Sequence, residues 1–164
     1  VAVELLAGLG YQVTALTGKD SEHGHLRSLG ATEVLSRHDL EMGVRPLEKS
    51  MWAGAVDAVG GDILAWLTRT LKYGGSVASS GLTAGTNLNT TVMPFILRGV
   101  NLLGIDSGAC SLDRRREIWQ RLATDMKPTQ LFDVSQKIDL SGLREAFSTL
   151  LAGEARGRIV VKVA

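Results

Sequence analysis

The sequence contains a single cysteine, Cys110, which rules out both an internal disulfide and a zinc site built from cysteines. The histidines do not repair the shortage. His23 and His25 stand two residues apart, a spacing that neither shares a helix face nor matches a familiar zinc motif, and His38 stands alone. No apolar run approaches the roughly 18 to 20 residues needed to cross a bilayer. The opening VAVELLAGLG lacks the basic start and the cleavage site of a signal peptide. Charge of one sign is also missing: eighteen basic side chains face seventeen acidic ones, so no polyanion-binding surface is expected and nucleic acid is not a partner. There is no internal repeat, no proline- or serine-rich linker, no P-loop, and no serine–histidine–aspartate order. A thiol-poor chain without membrane or export signals is expected in the cytoplasm.

The 164 residues, 45% apolar and 21% charged, suffice for one globular domain with one core. Helix-like and strand-like stretches alternate. VAVELLAGLG reads as an amphipathic helix closed by Gly10, with Val3, Leu5, Leu6 and Leu9 as its apolar stripe. YQVTALTG is a strand with Val13, Ala15 and Leu16 inside. A helix from about Ser21 to Leu29 ends at Gly30, with Asp20 in its cap, and TEVLSR is the next strand. RPLEKSMWAG is expected to be a short helix before the strand AVDAVG. GGDILAWLTRTLKYGG is expected to be one helix facing inward through Ile63, Leu64, Leu67 and Leu71. GSVASSG, a polar loop LTAGTNLNTT, a short helix from Met93 to Arg98 and the strand NLLGID follow. SLDRRREIWQRLATDM is a helix capped by Ser111, complemented by Asp113 at its positive end, with Ile118, Trp119 and Leu122 buried. FDVSQKIDL, a helix within LSGLREAFSTLLAGEA, and GRIVVKV complete the chain.

Short apolar strands alternating with helices predict a doubly wound α/β fold, a parallel sheet covered on both faces. In the dinucleotide-binding version a first strand and a glycine-rich turn precede the first helix, and the turn cradles the pyrophosphate. No G-x-G-x-x-G occurs in the sequence, so the expected fold is Rossmann-type without its first strand and glycine-rich turn. In a sheet ordered 3-2-1-4-5-6 that absence leaves two strand edges unpaired.

Ligands of such sheets sit beyond the carboxyl ends of the strands. Thr17, Gly81, Leu82, Asp106 and Ser107 fall at predicted strand ends. NAD-binding sheets commonly carry an acidic residue at the second strand end to hold the adenine ribose hydroxyls. Here Thr17-Gly18-Lys19 offers a hydroxyl and a cation, which suits a 2′-phosphate, and Arg37 at the next strand end adds a cation. The competing reading makes Lys19 and Arg37 surface charges, Leu82 and Ile96 ordinary core, and Ser107 a turn cap. A methyltransferase-like fold has the same alternation, but Lys19 with Arg37 speaks against its acidic ribose site. Asp57, inside AVDAVG, is expected to pair with backbone or solvent at a strand end, and Cys110 has no assigned role.

Three runs, RPLEKSMWAGAVDAVG with YGGSVASSGL, then TTVMPFILRGVNLLGIDS, then GRIVVKV, occur in an order and spacing that resembles the cofactor domain of the zinc-free medium-chain dehydrogenase/reductase family. More narrowly they resemble its acryloyl-CoA reductase branch, often labelled quinone oxidoreductase, over essentially the whole chain. The resemblance implies that residues 1–164 are the NADP-binding part of a two-domain enzyme whose GroES-like catalytic domain lies upstream. It implies hydride transfer from NADPH to an α,β-unsaturated acyl-CoA, without zinc. Thr17, Gly18, Lys19 and Arg37 would serve the adenosine phosphate, and Leu82, Ile96 and Ser107 the nicotinamide side. No catalytic or metal-binding residue is assigned within the chain, which alone is expected to be catalytically silent. The resemblance also implies a homodimer through an edge strand near Val100–Ile105, where Val100, Leu102 and Leu103 give an apolar edge. A quinone or general enone reductase would keep the same cofactor residues, and a non-enzymatic NADP-sensing module would bind cofactor without turnover.

Overall fold

The computed structural model describes residues 1–130 and 134–163. The elements are α1 (Ala2–Gly8), β1 (Val13–Thr17), α2 (His23–Ser28), β2 (Ala31–Ser36), β3 (Trp52–Asp57), α3 (Gly61–Thr70), β4 (Leu71–Ser79), α4 (Met93–Arg98), β5 (Asn101–Gly104), α5 (Leu112–Ala123), β6 (Ser135–Asp139), α6 (Leu143–Leu151) and β7 (Arg158–Lys162). Strands and helices alternate as the sequence predicts, and the strands of known register run parallel. The fold is α/β. The chain divides into two compact units, Val1–Val34 with Trp119–Ala164, and Leu35–Ile118.

In the first unit β1 pairs with β2, and β6 pairs with β7 in parallel from Ser135 opposite Arg158 to Asp139 opposite Lys162. Val13 and Ala15 of β1 are buried. Helix α1 ends where the sequence predicts: Gly10, at φ +85°, sends its amide to the Ala7 carbonyl while Tyr11 reaches back to Leu6. This double closure needs a left-handed residue, and glycine adopts that conformation without a Cβ clash. The helix expected near Ser21 begins instead as a 3-10 turn, Asp20–Glu22, and continues as α2. Asp20 makes no side-chain cap there; its carboxylate lies 3.6 Å from His23 Nε2. Of the predicted FDVSQKIDL strand, Phe132 and Asp133 lie outside the described residues, and β6 occupies the remainder.

In the second unit β3, β4 and β5 form a parallel three-stranded sheet in that order. Leu64, Leu71, Val77 and Val100 make its core, with Trp52, Ala55, Leu67 and Phe95 packed against it. Trp52 and Trp66 meet edge to face, ring centres 6.1 Å apart. Two expectations fail here. RPLEKSMWAG is not helical, because its amides bond elsewhere: Glu48 N–H donates to the Arg69 carbonyl at 3.1 Å and Met51 N–H to that of Thr70 at 2.8 Å. Those bonds also satisfy the last carbonyls of α3, so the helix stops at Thr70 and Leu71 begins β4 rather than a further helical turn. Arg98 adds guanidinium bonds to the carbonyls of Arg69 and Leu71.

Two burial expectations also need correction. Helix α5 is capped by Ser111 Oγ, which accepts from Arg114 N–H, but it has no buried residue, and Trp119 is 65% exposed. An apolar helix stripe is buried only when another element covers it; here Ile118 and Trp119 are exposed and Leu122 is half-buried. Val100 belongs to the core, so the exposed apolar edge is Leu102, Leu103 and Ile105. Among the described residues β1 pairs only with β2, and β3 only with β4, so each presents an edge without a partner strand.

Candidate functional site

Thr17 is the last residue of β1, and the turn that follows is closed by its side chain: Thr17 Oγ1 accepts the Lys19 amide at 3.1 Å. Gly18 lies between them. The Lys19 ammonium is not a loose surface charge, since its Nζ donates to the Ala155 carbonyl at 2.6 Å. That partner is neutral, so it holds the side chain without cancelling its charge. An ammonium has three donors, and one carbonyl occupies one of them. One residue further on, Arg156 Nε stands 2.9 Å from Glu22 Oε2. Residues 155 and 156 are thus fastened onto the β1-end turn within the same unit.

The other predicted positions belong to the second unit. The parallel register aligns Asp57 with Ser79 and Ser79 with Gly104, so the loops after β3, β4 and β5 leave from one edge of this sheet. Leu82 stands in the loop after β4 and is 64% exposed; Ile96 on α4 is 72% exposed. Neither is core. Single exposed aliphatic side chains are ordinary on a protein surface; Leu82 stands beyond the carboxyl end of β4, the side on which sheets of this kind hold ligands. Ser107 follows β5 in a turn that Asp106 closes, its Oδ1 accepting the amides of Gly108 and Ala109 at 3.0 Å each. The turn therefore uses the Asp106 carboxylate and not the Ser107 hydroxyl, while the Ser107 carbonyl accepts from Arg115 at 2.7 Å. Arg37 opens the 3-10 turn after β2 and is exposed.

The edge of the three-stranded sheet is built by a buried carboxylate. Asp57, 2% exposed, accepts the amides of Val59 (3.3 Å) and Gly60 (3.2 and 3.1 Å) and the Ser79 hydroxyl (3.0 Å). Its partners are backbone and a neighbouring strand end, which leaves it no part as a catalytic acid. The turn it shapes packs directly on the loop carrying Leu82. Ala84 N–H donates to the Val59 carbonyl at 2.7 Å, and Gly60 bridges Gly85. A Cβ on Gly81 would lie 2.0 Å from the Ala58 carbonyl oxygen, and one on Gly60, at φ +72°, 2.6 Å from that of Gly85. Two backbones cross there with no room for side chains. Sequence reasoning placed Asp57 at a strand end but missed that it orders the Leu82 loop. It also missed residues 155 and 156, because nothing local connects them to Lys19.

Among the described residues no group of three histidine, cysteine, aspartate or glutamate side chains could hold a metal ion, and no helix is long and apolar enough to cross a membrane.

Comparison with known proteins adds the family. The profile described as zinc-binding dehydrogenase matches residues 1–126. An acrylyl-CoA reductase of Ruegeria pomeroyi, AcuI, is 46% identical over 164 residues, covering 99% of this chain and 50% of the relative. YhfP of Bacillus subtilis, provisionally named a quinone oxidoreductase, is 46% identical over 165 residues with the same coverage. The crystal structure of the yhdH oxidoreductase from Salmonella enterica in complex with NADP superposes with a TM-score of 0.94 at 44% identity, over 99% of this chain and 50% of that one. A structure of the Bacillus protein, with NAD bound, gives 0.93. The chain therefore spans about half the length of the relatives it matches. These matches bear out the resemblance carried by the RPLEKSMWAGAVDAVG, TTVMPFILRGVNLLGIDS and GRIVVKV runs.

Proposed function

Because this chain belongs to the zinc-binding dehydrogenase family, we propose that it is the cofactor-holding part of an NADPH-linked reductase acting on an α,β-unsaturated acyl-CoA such as acryloyl-CoA. The observation that carries the cofactor reading is the end of β1. There a hydroxyl and an ammonium partnered by a neutral carbonyl stand where an NAD-specific sheet commonly has a carboxylate. This donor set fits a phosphate on the adenosine ribose.

In this reading Thr17, Gly18 and Lys19 receive that phosphate, with charge-assisted bonds from the ammonium and the Thr17 hydroxyl. Arg37 is the further cation that the resemblance assigns to it. Leu82 and Ile96 offer their exposed aliphatic surface to the nicotinamide side, and Ser107 its polar atoms. Asp57 acts only through position, ordering the loop on which Leu82 stands. NADPH, when bound, supplies the hydride; holding a donor at the right distance and face accounts for up to roughly 7 to 11 kcal/mol of such a barrier. The proton for the substrate α-carbon and the thioester contacts belong to an upstream GroES-like domain, and residues 1–164 alone do not turn over substrate. The protein is a cytoplasmic homodimer in the same proposal, paired through β5, whose Leu102 and Leu103, with Ile105 just after them, lie exposed at the end of the β3-β4-β5 order.

The test is oxidation of NADPH and NADH by the intact gene product, offered acryloyl-CoA and a simple quinone in parallel. Strong NADPH preference with acryloyl-CoA turnover supports the whole reading. Turnover of quinone alone, which the name of the Bacillus relative favours, keeps the cofactor and discards the thioester. Equal use of NADH reduces Lys19 and Arg37 to surface charges, and no oxidation with any acceptor leaves a non-enzymatic NADP-binding module.

A further inference from the structure

The turn after β1 is not uniformly positive. Lys19 shares it with Asp20 and Glu22, so the three side chains together carry one net negative charge, a poor receptor for a phosphate dianion. The two carboxylates differ in their setting. Asp20 is three-quarters exposed, and solvent screens it. Glu22 is only 19% exposed, so solvent screens its charge much less. Arg156 stands against this carboxylate, its Nε 2.9 Å from Glu22 Oε2, while the preceding residue holds Lys19 through its carbonyl. With Arg156 included, the four charges sum to zero, and the mostly buried carboxylate is the one that is neutralised.

We infer that Arg156 determines preference for the 2′-phosphorylated cofactor, by cancelling Glu22 beside Lys19 and by offering its terminal nitrogens to the phosphate itself. The inference rests on the reading that the β1-end turn receives the adenosine phosphate. The printed approach of the pair is through Nε, the side chain is 52% exposed, and a guanidinium carries five donors in a fork suited to two oxyanions, more than one carboxylate contact consumes. Glu22 then has a role as well. It keeps Arg156 extended toward the turn when no phosphate is there, and it weighs against phosphate when Arg156 is removed. A cofactor without the 2′-phosphate, NADH, meets neither effect.

The experiment is a fluorescence titration of NADPH and NADH with the intact gene product and its R156Q, E22Q and double variants. Thermal melts establish that each variant is folded. The expected result is that R156Q binds NADPH about five- to tenfold more weakly, the scale of one partly exposed charge-assisted contact, with NADH changed less than about twofold. E22Q is expected to bind NADPH more tightly than the starting protein, and to restore part of the loss when combined with R156Q. Added salt should shrink the R156Q effect on NADPH. If R156Q moves both cofactors equally, or neither, the Arg156–Glu22 pair only fastens the loop and the inference is overturned, whatever the preference of the starting protein. If the starting protein itself does not distinguish NADPH from NADH, the assignment of the β1-end turn fails first and takes this inference with it. An NADPH preference left unchanged by R156Q refutes the inference alone.

Discussion

Replacing Asp57 by alanine should cost about 3 kcal/mol of folding stability. The carboxylate is 2% exposed and accepts from three donors, the amides of Val59 and Gly60 and the Ser79 hydroxyl. Hydrogen bonds to a charged group contribute about 1.5 to 3 kcal/mol each, but they share one acceptor group here and do not add. Removing the acceptor leaves buried amides unpaired at about 1 to 3 kcal/mol apiece, partly relieved where Ser79 rotates or water enters. A total near 3 kcal/mol follows, and for a chain of this size it corresponds to a fall in Tm of about 6 to 12 °C. Asp57→Asn keeps one oxygen for the amides and should cost about half as much. The assay is urea unfolding of the intact protein, comparing midpoints at constant slope. If Asp57→Ala lies within about 0.5 kcal/mol of the starting protein, the carboxylate does not organise this sheet edge and the account of the Leu82 loop is wrong.

Gly81→Ala should be at least as damaging as Asp57→Ala, since its Cβ would stand 2.0 Å from the Ala58 carbonyl oxygen, whereas Gly24→Ala, with nothing within 4 Å, should be neutral or stabilising by up to about 1 kcal/mol. Parallel thermal melts of the two variants check this, and equal behaviour would remove the crossing of the two loops as an explanation. Glu4 should make the protein acid-sensitive. Burial pushes its carboxyl up, but bonds from the Gln130 amide and the Thr129 hydroxyl and amide outweigh this and hold it below its ordinary 4.5. With the folded pKa depressed, the stabilisation is present above that value and is lost as pH falls through the folded pKa. Stability measured from about pH 6 to pH 3 should fall less steeply for Glu4→Gln, and an unchanged slope would show the tie to be energetically silent.

The α/β class and most element positions were legible from the order of apolar runs and their punctuation. Gly10 and Gly30 ended helices because a helix end that turns back needs a residue free to take positive φ, and glycine announces this in one letter. Met93–Arg98 and β5 likewise fell where the pattern of the TTVMPFILRGVNLLGIDS run put them. Periodicity erred at 45–54 and at Leu71. In both places the deciding bonds join Glu48 and Met51 to carbonyls about twenty residues away, and a local pattern contains no term for them. It erred again on Trp119 and Val100, because an apolar residue in a sequence states only that it would gain from burial; whether another element covers it is a matter of packing.

The candidate site divides along the same line. The sequence alone determined that a hydroxyl and a cation, not a carboxylate, end β1, and that Leu82 and Ser107 follow strand ends, since strand ends and residue types are local facts. Tertiary structure decided the rest: that the Lys19 ammonium is held by the Ala155 carbonyl, that Glu22 is answered by Arg156, and that Asp57 shapes the edge carrying Leu82. Each of those is a contact of a few ångströms between residues 22 to 136 positions apart. Distance along the chain carries no information about distance in space until the sheets have formed.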